Sequence, residues 1–314
     1  MRLLILLFLL FVRPAFADHA FPVQRCVNLD QALEAPNEGD WGYTITRPDI
    51  EWIAAQGFDT IRLPVRFDAH WDGQIAPSFL VRVDAVIGWA MAVDLNVILD
   101  LHHFEGIMSD PAAHAKTFTA IWSQLAGHYA DHDDRLIFEL LNEPQEELTT
   151  EMAVALFADI LPVIRAQNPT RWVVIEGGYW SNITQLSALP RLDEHTALSF
   201  HYYGPWEFTH QQATWLDEPP PPTGWGSTAE RDRVKGHIAE AGRYGLPMLL
   251  GEFGVTAETE AGARADWIKT VRQEAEAHGM GWCHWGFAGG FPIFDAGRRD
   301  WLPGIAAALM GDEN

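Results

Sequence analysis

Leu136-Ile137-Phe138-Glu139-Leu140-Leu141-Asn142-Glu143-Pro144-Gln145-Glu146 is the stretch on which the fold turns. Leu136 to Leu141 are nearly all apolar, the pattern of a strand buried on both faces. An amide, a carboxylate and a proline then follow. Proline cannot donate to a ladder, so the strand is expected to end at Glu143. A charged group at the end of a buried strand is costly unless something pairs or uses it. Met248-Leu249-Leu250-Gly251-Glu252-Phe253-Gly254 repeats the arrangement, with a short apolar strand ending on Glu252. Glu143 and Glu252 are therefore the candidate reactive pair.

Outward from these two places, strand and helix alternate. Strands are expected at Arg25–Leu29, Thr60–Val65, Asn96–Leu101, Arg171–Glu176, Ala197–Tyr203 and Met280–Phe287, besides the two that carry the glutamates. Between them, Pro48–Gln56, 77–91, 112–130, 148–167, 228–244 and 260–277 have helical spacing, and Trp301–Met310 closes the chain. In 148–167 the expected apolar row is Met152, Leu156, Ile160 and Ile164, with a kink at Pro162. Alternating strands and helices imply a parallel sheet with helical crossovers. An open doubly wound sheet would want a glycine-rich turn after its first strand, and Val27-Asn28-Leu29-Asp30 has none. The prediction is an α/β fold: a single-domain (β/α)8 TIM barrel over residues 18–314. Glu143 and Glu252 lie 109 residues apart, which fits three units of about 30 residues plus a long loop at 204–227. They would end the fourth and seventh strands and face each other across the barrel mouth.

Residues 1–17 read as a secretory signal peptide: a basic start, an unbroken apolar run from Leu3 to Val12, and Ala15-Phe16-Ala17 before Asp18. Export is expected, to the periplasm or outside the cell. Removing the segment, which holds Arg2 and Arg13 and no acid, takes the net charge from −22 to −24. So acidic a chain repels nucleic acid and anionic membranes. Cys26 and Cys283, the only two cysteines, lie on the first and eighth strands, neighbours in a closed barrel. A disulfide is within reach, and two free thiols fit equally well.

Active sites of such barrels sit at the C-terminal rim. The strand ends are expected to supply Arg62, His102, Asn142, Glu143, His201, Tyr203, Glu252 and Trp285 there, with His103 beside His102. Cleaving a glycosidic bond needs one carboxylic acid to protonate the leaving oxygen and a second carboxylate to attack or to activate water. An asparagine can donate to a sugar hydroxyl, and an arginine and a tyrosine can orient an ionised carboxylate. Among the 14 tryptophans, those in rim loops are candidate sugar platforms. Trp41, Phe104, Tyr179, Trp180, Trp206 and Trp225 fall in such loops, and Trp41 and Trp180 are preferred because glycine-rich neighbours leave room for a chain.

Thr60–Val65 (TIRLPV), Leu99–His103 (LDLHH), Leu141–Pro144 (LNEP), His201–Tyr203 (HYY), Leu250–Gly254 (LGEFG) and Gly281–Gly286 (GWCHWG) together resemble the cellulase family of glycoside hydrolases, family 5. The departure is Cys26, where the family more often has glycine. The resemblance implies a retaining endo-β-1,4-glucanase with Glu143 as acid/base and Glu252 as nucleophile. Asn142 would hold the 2-hydroxyl, Arg62 and Tyr203 would surround the nucleophile, His102 and His201 would shape the subsite, and Trp285 would floor it. No cofactor or metal is implied. The expected partner is a β-glucan polysaccharide or oligosaccharide, and a monomer is expected. Other β-glycans (mixed-linkage glucan, mannan, xyloglucan) and a non-catalytic sugar-binding barrel stand as alternatives. His102, His103 and His201 also raise a metal hydrolase on the same fold, but no His-x-His ends the first strand.

Overall fold

The computed structural model describes residues 20–311. Its centre is a closed barrel of eight parallel strands in sequence order. They are β1 (Arg25–Asn28), β2 (Thr60–Val65), β3 (Asn96–Leu101), β4 (Leu136–Glu139), β5 (Val173–Glu176), β6 (Thr196–His201), β7 (Met248–Phe253) and β8 (Gly281–His284). β1 pairs with β8 and closes the ring, with Cys26 opposite Cys283. These cysteines form a disulfide, which settles the alternative left open by the sequence. Residues 1–17, read as a signal peptide, lie outside the described residues.

The strands are apolar because helices cover the outer face and side chains fill the interior. Two clusters reflect this. A large one joins strands to helices, and a small one holds Cys26, Ile98, Ile137, Val174, Ala197, Leu249 and Cys283. Side chains alternate along a strand with period two. Two residues beyond the small cluster, towards the rim, stand Asn28, Asp100, Glu139, Glu176 and Ser199, all buried. The barrel therefore has an apolar lower layer and a polar upper layer, and the upper layer carries the site.

Helices take their places by spacing and by caps. Pro77–Met91 buries Leu80, Val83 and Ile87, as expected. In Thr150–Arg165 the Thr149 hydroxyl accepts from the Met152 N–H, and Pro162 lies within the helix. Its buried row is Ala153, Phe157, Ile160, Leu161 and Ile164, whereas Met152 is 41% exposed. Four residues turn a helix by about 400°, so a strict i, i+4 row drifts off the core face. The β5–β6 crossover uses only short turns, Gly178–Ser181 and Ile183–Ala188. A two-stranded ribbon, Phe294–Asp295 with Asp300–Trp301, precedes the last helix, Pro303–Met310. Among the described residues no helix is long and apolar enough to cross a membrane.

Two strand readings change. Paired β4 ends at Glu139, not Glu143. The chain continues beside the barrel, with Leu140 N–H donating to Val174 and Asn142 N–H to Leu101, until Glu143 turns it with a φ of 46°. Arg62 is not at a strand end. It sits in mid-β2 and is wholly buried, so it underlies the rim.

Candidate active site

A cleft of about 1210 Å³ opens at the C-terminal rim. Trp41, His102, His103, Asn142, Glu143, Trp180, His201, Tyr203, Glu252 and Trp285 all line it. Of the residues expected at the strand ends, Arg62 does not, and it acts from beneath.

Glu252 is held from three sides. Arg62 Nη1 donates to its Oε1 at 2.8 Å, the Tyr203 hydroxyl donates to its Oε2 at 2.9 Å, and His201 Nδ1 lies 3.5 Å from Oε2. Glu143 Oε1 stands 2.7 Å from the same Nδ1. One oxygen of each glutamate and a His201 nitrogen fall within 4.8 Å of one another. Burial, assisted by Glu143 and Glu176, pushes the Glu252 carboxyl up to about 7 against the pull of His201 and Arg62. Burial would push His201 down, but Glu176, Glu252 and the bond to Glu143 raise it well above its ordinary range. Nδ1 is within hydrogen-bonding distance of Glu143, whereas Nε2 lies 2.9 Å from Glu176 as an ion-pair approach without hydrogen-bond geometry.

Arg62 ties the polar layer together. Its Nε and Nη2 reach both oxygens of Glu139 at 2.7 and 3.1 Å, Nη1 reaches Asn28 and Glu252, and Nη2 reaches Asn142 at 2.7 Å. All five of its N–H donors are thereby used. Asp100 Oδ2 lies 3.0 Å from Nη2 and 2.5 Å from His102 Nδ1. Burial raises Asp100 well above the usual carboxylate range and Glu139 to about 8. Burial would raise Glu176 too, but His201, a hydrogen bond from Glu139 and Arg62 hold it well below that range.

Asn28, Asp100, Glu139 and Glu176 were missed in the sequence. The signal was present: a polar residue in the same alternating phase of otherwise apolar strands, in RCVN, NVILDL, LIFE and VVIE. Burying such groups is tolerable only if they are paired. Here they pair with one another, Arg62 and His201. The groupings Glu139–Glu176–His201 and Glu143–His201–Glu252 have spacings a cation could bridge. His201 stands in both, 2.7 Å from Glu143 by Nδ1 and 2.9 Å from Glu176 by Nε2.

Aromatic rings shape the cleft. Trp285 stacks on His102 with centroids 5.5 Å apart, and Trp41 meets His103 edge-on at 5.8 Å. Trp41 is 43% exposed and Trp180 54%. Tyr179, Trp206 and Trp215 also line the cleft, as do Asp30, Gln31 and Glu34. Phe104 instead belongs to the core. Trp225 packs against it, with its indole N–H on Asp266 at 2.7 Å.

A closed (β/α)8 barrel with two close carboxylates in an aromatic-lined rim cleft belongs to the glycosidase class of such folds. More narrowly, residues 26–288 match the model of the cellulase family, glycosyl hydrolase family 5, and the chain belongs to that family. Endoglucanase H of Acetivibrio thermocellus is 32% identical over 267 residues, covering 82% of this chain and 29% of the relative. Two of the first curated relatives are thus far longer proteins than the part this chain spans, the share being 52% for Endoglucanase 3 of Fibrobacter succinogenes. Among solved structures, a hyperthermophilic endo-β-1,4-glucanase in complex with substrate superposes with a TM-score of 0.90 at 34% identity, covering 92% of this chain and 97% of that one.

Proposed function

We propose that this protein hydrolyses internal β-1,4 bonds of a glucan by double displacement with retention of configuration. The observation that carries the reading is the approach of Glu143 and Glu252 oxygens within 4.8 Å. Retaining pairs stand about 5–5.5 Å apart, and inverting pairs about 6.5–9.5 Å to admit a water.

The chemistry follows from the contacts. Glu143 gives its proton to the glycosidic oxygen as Glu252 attacks the anomeric carbon. The C–O bond breaks, the shortened chain leaves as an alcohol, and an ester to Glu252 forms. Water then attacks the same carbon while Glu143 takes its proton, and the ester opens. Arg62 and Tyr203 hold one lone pair of Glu252 each and leave it aimed at the sugar. Asn142, fixed by Arg62 through its carbonyl, keeps its amide N–H groups for the 2-hydroxyl. Trp285, backed by His102, floors the reacting sugar, His103 borders it, and Trp41 and Trp180 are outer platforms.

Mannan is the second reading. It is favoured by the likeness to Thermotoga maritima Cel5A, solved in complex with mannotriose, at 32% identity and a TM-score of 0.88 over 92% of this chain and 98% of that one. Export is part of the proposal, with residues 1–17 as the signal peptide and 18–314 as the mature, monomeric enzyme. The disulfide suits an oxidising compartment.

The test is reducing-sugar release with product sizing on carboxymethyl-cellulose, barley β-glucan, mannan and xyloglucan, with Glu143→Gln and Glu252→Gln as controls. Activity on a glucan, lost in both variants, is expected. Activity on mannan alone would keep the mechanism and change the substrate. No activity on any of them from folded protein would overturn the reading.

A further inference from the structure

Glu176 is used by nothing in the scheme above, yet it touches both the backbone and the partner of Glu143. Its Oε2 accepts from the Glu143 backbone N–H at 2.7 Å, and its Oε1 lies 2.9 Å from His201 Nε2. The other nitrogen of that imidazole is 2.7 Å from Glu143 Oε1. Ser199 donates to Oε1 at 3.0 Å, and Ser181 donates to Oε2. We propose that Glu176 is a positioning residue for the reaction: it clasps the Glu143 loop by its backbone and holds the His201 ring, and the charge on it, against the Glu143 side chain. The inference rests on the assignment of Glu143 as the acid/base.

Three features of the backbone support the clasp. Glu143 has a φ of 46°, and Tyr179, Trp180 and Ser181 have φ values of 55°, 55° and 53°. Such left-handed conformations are unfavourable for residues with side chains and persist only where surroundings hold them. Glu176 holds both segments, one at the Glu143 N–H and the other at the Ser181 hydroxyl. Trp180 N–H also donates to Pro144 at 3.3 Å, so the two loops are joined. On β7, a Cβ at Gly251 would come within 2.9 Å of His201 Nε2 and 2.6 Å of the Ser199 hydroxyl. Glycine there leaves the imidazole room to lie between Glu176 and Glu143.

The electrostatic part follows from what faces His201. Glu143 faces it from the loop after β4, Glu176 from β5 and Glu252 from β7. Tyr203 stands beside Glu252, with Glu139, Asp100 and Arg62 beneath and His102 nearby. Three acids meet one imidazole, and Glu176 is the fully buried one. Replacing it by glutamine removes the charge that most favours the imidazolium. An imidazolium favours the carboxylate form of the acid it touches, and a neutral imidazole does so less. The alkaline limb of the kcat/KM profile, which reports the acid, therefore moves to higher pH.

The test compares wild type with Glu176→Gln on cellopentaose and on 2,4-dinitrophenyl cellobioside, whose leaving group needs no proton. The expected result has three parts: kcat/KM for cellopentaose down about 100-fold, as for an impaired general acid; the aryl substrate within about threefold for bond cleavage, since it bypasses that acid; and an alkaline limb raised by about one pH unit. Equal losses on both substrates with an unmoved limb would mean a merely structural role and overturn the inference. Unchanged kinetics would also overturn it. If Glu176→Gln does not fold, Ser199→Ala removes one hydroxyl donor and leaves the carboxylate, so its charge falls more fully on His201. The limb should then move down by a few tenths of a unit, and an unmoved limb would overturn the inference. Wild type inactive on every substrate would instead sink the functional reading itself.

Discussion

Arg62 Nη1 donates to Glu252 Oε1 at 2.8 Å while the other edge of the same guanidinium grips both oxygens of Glu139. One planar cation thus links the buried polar layer to the rim. Arg62→Ala would leave several acids buried without their counter-charge. It should cost about 3–5 kcal/mol of stability, the loss found when one partner of a buried ion pair is removed. Arg62→Lys keeps the charge, but an ammonium cannot span these partners. Its kcat should fall at least about tenfold with less change in KM, measured on a soluble glucan beside a thermal melt. Wild-type kcat in the lysine variant would contradict the role given to the guanidinium.

The pH profile of wild type should show the nucleophile on its acid side. Glu252 must be ionised to attack, and burial pushes its carboxyl up to about 7. Activity therefore rises as pH rises through that value. The kcat/KM profile on cellopentaose should show an apparent acid limb within about one unit of it. Full activity at pH 5 would show that Arg62 and Tyr203 outweigh burial.

Asp30 makes a stability prediction. It is buried, its Oδ1 accepts from Ala288 N–H at 3.2 Å, and its Oδ2 has no partner among the described residues. Burial raises it from 3.8 to about 6. Between those values the folded state binds a proton that the unfolded chain has lost, so stability falls as pH rises through the window. Above it, the ionised carboxylate costs on the order of 3 kcal/mol. Asp30→Asn carries no charge. Its melting temperature should exceed that of wild type by several degrees at pH 7.5, with the gap shrinking by pH 4.5. A gap that does not change with pH would refute the assignment.

Trp180 reaches into the cleft half exposed while its backbone N–H is fixed to Pro144. Trp180→Ala deletes the ring and keeps that backbone bond. KM for cellohexaose should rise about five- to tenfold with kcat nearly unchanged. An unchanged KM would remove Trp180 as a platform.

Much of this architecture could be read from apolar runs, because strands of a parallel barrel are covered on both faces. Glu143 and Glu252 stood out because each ends such a run. What escaped the reading lay inside the runs. Glu139 hides within an otherwise apolar strand, and Arg62 lies in mid-strand rather than at its end. A period-two reading of LIFE beside NVILDL and VVIE would have put Glu139, Asp100 and Glu176 on one interior ring. Trp215 could not be placed from sequence. It packs where a Cβ at Gly290 would come within 2.2 Å of its ring, a contact between distant loops. The bond between Cys26 and Cys283 likewise needed the register of β1 with β8.

The most direct test of the double displacement is proton NMR of cellopentaose hydrolysis, followed from the first minute. The account predicts that the newly formed reducing end appears first as the β-anomer and only later mutarotates to the α-anomer. An α-anomer formed first would mean single displacement by water, and would contradict the assignment of Glu252 as nucleophile.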